Sequence, residues 1–530
     1  MSRIEGAIAA LAPAWALRRE RARLRLNSTR RARMAYDAAR GDHRSDGWRP
    51  ASSSANREIA NGGGRLRSIA RDLDRNNPFA RRAKRGIVNN VIGTGIIPNA
   101  KSVRRGRKRA VGDLEAAMKR HHDTTDIDAA GLLNLYGIQR LVLATVVVAG
   151  EALVVRHRRP ASMGLALPFQ IRVLEPEFLD ETKDGPIAGG GYRIQGIEHD
   201  SRGRRTGFWL YERHPAEGWA TPKSTFYPAA DVAHIFDIER PGQARGVSWF
   251  AAVMTRLADL GQFADAQLVR QKVAACFVGF EEEPLDDDGP DRAQAGIRAP
   301  DDGEGYDIEG FEPGIIQRVR PGRKMTFSSP PQVGDYESAL RAYLREIAAG
   351  LSITYEVLTG DLSQTNFSTG RMGWLEFWRS ICDWQENMLR PMLLDVIGRW
   401  TLDAARLRLG TPEGIEIGWT PPRREMINPR EEIQAARDAI RAGLSSRSHE
   451  QRKQGFDPDD LDTEIADDNE RADEMGLAFD SDGRRPVNGQ GAGSAGQIAH
   501  AEGAPPDGDG NGGAAEGDKD QENSDDASAD

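Results

Sequence analysis

The sequence predicts an α+β protein in which long helices accompany a β-rich region. Apolar residues recur every three or four positions on both sides of a polar loop at residues 353–372, which is typical of helices with one buried face. From about Leu141 to Glu239 the pattern changes to short apolar runs and alternation, which is typical of strands. An acidic insertion with three prolines separates two of the long helices. These observations together predict a mixed fold built from several parts.

Length and composition predict a soluble chain of three or four domains, or one elongated subunit of several parts. The chain has 530 residues, 29% of them charged, and a mean hydropathy of −0.57. It contains no run of about 18 apolar residues that could span a membrane, so no membrane contact is expected. Cys276 and Cys382 are too few for a disulfide framework or a zinc cluster, which favours a reducing compartment.

Charge is distributed unevenly, and both ends of the chain are expected to be arms or tails. Residues 1–44 carry eleven arginines and four acids, whereas residues 501–530 carry ten acids and one lysine. The apolar stretch from Ala7 to Leu17 raises the question of a signal peptide, but Pro13 breaks it and an arginine block follows, which favours a basic amphipathic arm. The block is either a solvated helix face or a contact for nucleic acid, and both remain open; its members are Arg18, Arg19, Arg21, Arg23 and Arg25.

Residues 50–64 are predicted to be a flexible connection, and Leu66 to Asn90 a helix broken at Pro78. That helix is rich in arginine, at positions Arg67, Arg71, Arg75, Arg81, Arg82 and Arg85. The following Gly93-Thr94-Gly95 lacks the third glycine of a dinucleotide fingerprint and is predicted to be a turn.

The β-rich region contains an apolar run from Val146 to Val155, an alternating run from Tyr192 to Ile197 and a predicted hairpin turn from Asp200 to Arg205. Its histidines could bind a metal, but structural roles are favoured because they lie far apart in sequence; they are His199, His214 and His234.

Two long helices are predicted around the acidic insertion. The first runs from Ser248, its N-cap, to Val278, and the second from Asp335, also an N-cap, to Leu351. The residues expected on their packed faces are Leu257, Phe263, Leu268, Leu340, Tyr343, Leu344 and Ile347. The insertion from Glu281 to Gly310 carries twelve acids and two arginines, and is either a solvated loop or a projecting binding element.

The loop after the second helix is too polar to bury itself and is expected to be presented to a partner. Its candidate contact residues are Asp361, Ser363, Gln364, Thr365, Asn366, Ser368, Thr369 and Arg371. A tryptophan-rich helix follows and is expected to stop at Pro391, with its buried stripe formed by Trp374, Trp378, Ile381, Gln385 and Leu389. Helices from Asp395 to Leu409 and from Glu431 to Ala442 are predicted next, and beyond Asp457 an acidic tail that cannot form a core.

Ordered motifs across roughly residues 30–455 resemble the lambda-type bacteriophage portal proteins. The matching runs are Arg71-Asp72-Leu73, residues 89–96, residues 242–249, residues 265–272, residues 356–363 and residues 366–371. Phe367 and the sequence Ser368-Thr369-Gly370 depart from the family pattern, in which tyrosine and serine-serine-alanine are usual, while Arg371 agrees with it.

The resemblance implies a portal fold with a β-rich wing, long stem helices, a clip insertion, a tunnel loop and a helical C-terminal region. The implied divisions are an arm and linker at 1–64, wing 65–246, first stem helix 247–278, clip 279–333, second stem helix 334–352, tunnel loop 353–372, helical wing or crown 373–456 and acidic tail 457–530.

The implied function is a ring, commonly of twelve subunits, at one capsid vertex, with a channel for packaging and ejecting double-stranded DNA. The implied partners are further copies of the chain, DNA, the large terminase subunit, the major capsid and scaffold proteins, and the head-tail connector. The implied location is the virion, with assembly in the host cytoplasm.

The sequence carries no phosphate-loop, hydrolase-elbow or metalloprotease motif, so we expect no cofactor and no enzymatic activity, and an ATPase on a partner. A general capsid or scaffolding protein and a nucleic-acid-processing enzyme are the alternatives.

Overall fold

The computed structural model describes residues 52–102, 108–218, 223–275, 279–282, 324–327, 336–423, 426, 428–477, 479 and 484. Its helices are α1 (Ala55–Asn76), α2 (Pro78–Val91), α3 (Lys108–His122), α4 (Leu135–Ala149), α5 (Met254–Ala275), α6 (Tyr336–Gly350), α7 (Tyr355–Thr359), α8 (Phe367–Asp383), α9 (Asp395–Leu409), α10 (Pro429–Arg441), α11 (Arg447–Lys453) and α12 (Pro458–Glu474). Its strands are β1 (Ile97–Ser102), β2 (Glu151–Arg158), β3 (Phe169–Leu174), β4 (Gly185–Pro186), β5 (Tyr192–Ile194), β6 (Ile197–His199), β7 (Arg205–Tyr211), β8 (Ser224–Pro228), β9 (Val232–Phe236), β10 (Gly279–Glu282), β11 (Lys324–Phe327) and β12 (Ile415–Thr420).

The N-terminal part of the described chain is helical where the sequence predicted a flexible connection. Helix α1 begins at Ala55, with the Ser54 hydroxyl accepting a hydrogen bond from the backbone N–H of Arg57, and it continues through the three glycines at 62–64. The prediction for residues 55–64 was wrong because packing of a buried face overrides the low helix propensity of glycine. The predicted break before Pro78 is confirmed, since the Asn77 side chain caps α2.

The apolar run from Val146 to Val155 belongs to two elements. Helix α4 extends to Ala149, and Gly150 ends it in the left-handed conformation at φ 91° before strand β2 begins at Glu151. Because α4 is buried on most of its sides, its valines pack inside the core and their preference for strands does not decide the local structure.

Two antiparallel sheets form the β-rich wing. One has the order β3-β2-β9, and the other has the order β4-β5-β6-β7-β8. The alternating run from Tyr192 to Ile197 is a tight hairpin, with Gln195 at φ 47° and Gly196 at φ 88°, and is not a single strand. The predicted turn at Asp200 is confirmed, because its carboxylate accepts hydrogen bonds from the backbone N–H groups of Arg202 and Arg204.

Strand β1 pairs with β12, and β10 pairs antiparallel with β11 where the acidic insertion leaves and rejoins the chain. The acidic residues from Glu283 to Gly310 lie outside the described residues, as do the N-terminal arm, Cys276, Asp335 and residues 485–530.

Helix α5 starts later than predicted. Ser248 caps a short 3-10 turn at Trp249–Ala252, and the α-helix follows from Met254. The tryptophan-rich helix does not stop at Pro391 either. It passes from α8 through a π-helical segment at Trp384–Leu394, which contains that proline, into α9. The wider turns of a π-helix accommodate the proline, whose nitrogen has no proton to donate.

The acidic sequence after Asp457 begins with a helix, α12, which the composition argument did not predict. Its start is rich in aspartate, which suits the positive end of a helix dipole. Among the described residues, the division between two compact units falls after Leu461.

The main core combines α1 to α9 with the three-stranded sheet, and a smaller cluster of apolar side chains lies between the wing strands. None of the helices described here reaches the length and apolarity that crossing a bilayer requires.

Candidate functional site

Helices α5 and α6 pack as an antiparallel pair, which we call the stem. Leu257, Leu344 and Ile347 are buried between the stem and the main core, and Leu340 and Tyr343 are partly buried against it. The ring of Phe263 lies 5.6 Å from that of Tyr336 and 5.9 Å from that of Tyr343, centroid to centroid.

Leu268 is half exposed in the described part of the chain, whereas its helical period predicted a packed side chain. Its side chain is 51% exposed and that of the adjacent Val269 is 59% exposed. Phe263 already meets Tyr336, which is the first described residue of α6, and Leu268 lies about 7 Å further along α5. The period places Leu268 on the packed side of α5, but among the described residues α6 begins only at Tyr336.

The segment expected to form an open loop at 353–372 is mostly helical. Thr354 caps α7 through its hydroxyl, Gly360 ends α7 at φ 77°, and the Asn366 side chain caps α8 by accepting a hydrogen bond from the N–H of Thr369 at 2.8 Å. Only residues 360–366 lie between the two helices, and we call them the short loop. Ser368, Thr369 and Arg371 therefore belong to the start of α8.

Several polar side chains of this region are engaged within the chain. Asp361 accepts hydrogen bonds from the Tyr355 hydroxyl at 3.1 Å and from the N–H of Ser363 at 3.0 Å, and the bonds from Ser363 hold the pKa of its carboxyl below the ordinary value. The Thr365 hydroxyl donates to Glu356 at 3.2 Å. Thr369 donates its own hydroxyl to Asn366.

Three of the predicted contact residues keep exposed side chains with no partner among the described residues. They are Gln364, Ser368 and Arg371. The short loop itself carries one acid, Asp361, and no lysine or arginine, so its surface can donate and accept hydrogen bonds without strong charge.

Helix α2 contacts α7, the helix that leads into the short loop. The Arg82 guanidinium donates to the carbonyl oxygen of Val357 at 3.2 Å, and a Cβ added at Gly86 would lie 2.8 Å from the Val357 side chain. A cavity of about 360 Å³ separates α2 from the loop, with Trp374 at one wall. The sequence signal for this close approach was the glycine within a predicted helix.

A buried cluster of charged side chains connects the wing to the start of the stem, and sequence reasoning did not find it. Arg245 and Glu151 are both fully buried and form an ion pair at 2.6 Å, and the Glu151 carboxylate also accepts the N–H of Gly246 at 2.9 Å. His234 lies 2.8 Å from Glu151 and 3.4 Å from Arg205. The family-like run at 242–249 was the available signal.

His234 is neutral in this cluster. Burial lowers its pKa to about 4, and the ring can donate from Nε2 to Glu151 while Nδ1 accepts from Arg205. The paired arginine and the hydrogen bond from His234 outweigh burial and hold the pKa of Glu151 well below its ordinary value.

His214 lies beside Glu175 and Glu177, and one ligand atom from each falls within 4.8 Å of the others. Both oxygens of Glu177 already accept hydrogen bonds from Arg67 and Arg71, so a cation there would compete with two arginines. His199 stacks on Tyr192 at 5.0 Å.

The comparisons with known proteins agree with one another. The family model described as phage portal protein, lambda family, matches residues 41–385. The probable portal protein of Halomonas phage phiHAP-1 is 26% identical over 439 residues, covering 78% of this chain and 81% of that protein. Portal protein B of Escherichia phage lambda is 24% identical over 459 residues, covering 77% and 84%.

The chain is also similar to solved structures. A chain from the neck of an empty gene transfer agent particle has a TM-score of 0.44 at 14% identity, covering 79% of this chain and 99% of that one. The HK97 family phage portal protein from Corynebacterium diphtheriae has a TM-score of 0.29 at 10% identity, covering 68% and 94%. Because the family match spans well over half of the sequence, this chain belongs to the lambda family of phage portal proteins and has the role of a portal, the connector of a phage head.

Proposed function

We propose that twelve copies of this chain close into a ring at one capsid vertex and that double-stranded DNA passes through the ring during packaging and ejection. The proposal is carried by two observations together. The stem leaves Leu268 and Val269 exposed, and the short loop exposes Leu362 beside polar side chains whose one charge is that of Asp361. A closed ring repeats one interface around its axis, so each exposed stem face meets the next subunit.

The chemistry of the short loop suits passage of DNA. Each retained contact between a cation and a phosphate adds salt-dependent affinity, which would slow a sliding duplex. Gln364 and Ser368 offer hydrogen bonds that exchange readily with water, and the loop residues 360–366 offer no cation. The one exposed cation of the candidate set, Arg371, lies in the second turn of α8.

The acidic insertion between β10 and β11 is proposed to be the clip, which meets the large terminase subunit during packaging and the head-tail connector afterwards. The ATPase then resides on the terminase, and this chain contributes the passage and no catalytic step. The capsid and scaffold proteins are the proposed neighbours at the vertex.

The test is the mass of the purified protein by light scattering, together with negative-stain images of the same peak. A ring of about twelve subunits with a central hole is the expected result. Shell-like or filamentous particles would support a general capsid or scaffolding protein instead. Magnesium- or manganese-dependent cleavage of DNA by the same peak would contradict the non-enzymatic role.

A further inference from the structure

The arginine-rich segment of α1 and α2 separates into two groups with different surroundings. In α1, Arg67 and Arg71 form ion pairs with Glu177 at 3.0 and 2.6 Å, and Arg75 lies 3.7 Å from Asp72. Arg67 and Arg71 are therefore paired with acids of the same chain, and the exposed Arg75 has an acid nearby. Helix α2 carries four cations and no acid, at positions Arg81, Arg82, Lys84 and Arg85.

Helix α2 packs on α4, whose single charged residue is Arg140. Between the two helices lies a cavity of about 230 Å³ with three cations, Lys84, Arg85 and Arg140, over an apolar floor that includes Val88. No carboxylate lines this cavity, which we call the basic groove together with the adjacent Arg81.

Two of the cations are fixed and two are free. Arg140 donates to the carbonyl oxygen of Gly93 at 2.9 Å and to the Asn89 side chain at 2.8 Å, so its position is set by neutral groups. Lys84 is held by Asp74 at 2.6 Å. Arg81 and Arg85 are exposed and have no carboxylate within ion-pair distance in the described part of the chain. The groove therefore keeps a net positive charge that nothing described in the chain neutralises.

We propose that the basic groove binds the sugar-phosphate backbone of double-stranded nucleic acid. Arg81 and Arg85 are separated by one helical turn, about 6 Å along α2. One strand of a duplex presents a phosphate about every 3.4 Å along the axis, so a patch of this size faces more than one phosphate. Both guanidinium groups can therefore reach the backbone of one strand, and the fixed Arg140 adds a third positive charge beside them.

The position of the groove connects it with the short loop. Arg82, on the same helix, donates to the backbone of Val357 in α7, three residues before that loop. The groove offers unpaired positive charge to a phosphate, whereas the short loop offers hydrogen bonds and a single acid, Asp361. The identification of the ligand as the DNA that the portal carries rests on the proposed function.

The test is the salt dependence of binding between the full-length protein and a short fluorescent DNA duplex, followed by anisotropy. The double substitution Arg81→Gln with Arg85→Gln removes two phosphate contacts, so the slope of log K against log salt should become shallower by about 1.8. The ratio of the wild-type affinity to the variant affinity should therefore be about ten times larger at 50 mM salt than at 200 mM salt. Replacing both by lysine should keep the slope, since the contact depends on charge.

The matched control is Arg202→Gln with Arg204→Gln, two exposed arginines in the turn between β6 and β7, which should leave the slope unchanged. Equal slopes for the wild type and the Arg81 and Arg85 variant, or no binding of the duplex by the wild type, would overturn the proposal. The proposal would also be overturned if the variant lost its affinity for polyglutamate, an acidic peptide, but kept its affinity for the duplex. The slope is readable in any oligomeric state, so this result is separate from whether rings form.

Discussion

Leu268 offers a direct test of how the stem assembles. Substitution of Leu268 by aspartate should break the ring while leaving the fold of the single chain intact, because the side chain is 51% exposed and makes no core contact. Leu344, which is 3% exposed, gives the opposite case, since Leu344→Ala should destabilise the chain itself by about 2–5 kcal/mol.

The magnitude follows from the exposed area. Burying a whole leucine contributes about 1.5–3 kcal/mol, so covering the exposed half of Leu268 against a neighbour contributes about 1 kcal/mol. An aspartate loses this contribution and must also be desolvated, which brings the cost to roughly 3 kcal/mol or more at each junction. The association constant of each junction then falls on the order of 100-fold.

The assay is light scattering across a dilution series, with thermal unfolding of the same samples. Leu132→Asp is the control, because Leu132 is 77% exposed and belongs to the segment before α4 and to neither stem helix. Rings of unchanged mass with Leu268→Asp at low concentration would refute the placement of this face between subunits. Unfolding of the single chain by the same substitution would show that Leu268 is needed for the fold.

Three further predictions concern the short loop and two buried sites. Substitution of Gln364 by lysine should slow DNA packaging, and more so at low salt, because the added cation retains phosphate. Substitution by glutamate should not slow it. Equal packaging rates for the two variants would count against the loop facing DNA. Substitution of Arg245 by methionine should lower the free energy of unfolding by about 3–5 kcal/mol, because it leaves the Glu151 carboxylate buried without its cation. Adding Glu151→Gln should recover part of that loss. Both values can be measured by unfolding in urea. His121 is buried beside Phe169, and this burial lowers its pKa to about 4. Between about pH 4 and 6.5 the folded state therefore binds fewer protons than the unfolded state. The free energy of unfolding falls as the pH drops through that window. Substitution of His121 by phenylalanine should therefore reduce the loss of unfolding free energy between pH 6.5 and 5 by up to about 1.4 kcal/mol per pH unit, and an unchanged pH dependence would show that this histidine is not the group responsible.

Asn366 and Gln364 differ in how far a substitution would disturb the chain. Asn366 and Gln364 both looked available for substitution in the sequence. Because Asn366 caps α8, a lysine there would remove a cap worth about 1 kcal/mol as well as adding charge. Gln364 has no such contact among the described residues and is the cleaner probe.

The sequence by itself determined the mixed fold, the break before Pro78, the turn at Asp200 and the two helices of the stem. These features depend on local chemistry: a proline, an aspartate beside two backbone N–H groups, and apolar residues at a helical period. The ordered motifs also identified the family before any contact was known. Local signals of this kind survive folding because the groups that cause them lie within a few residues of each other.

Only the tertiary structure decided which residues of each pattern are buried, exposed or ion-paired. The glycines at 62–64 are helical and Leu268 is exposed because each outcome depends on which surface lies opposite, and no local period contains that information. The same applies to the arginines. Arg67 and Arg71 are neutralised by Glu177, more than 100 residues away, while Arg81 and Arg85, one or two turns into the next helix, meet no acid among the described residues. Pairing between distant residues is a property of packing, so charge in the sequence becomes free or paired only when the chain has folded.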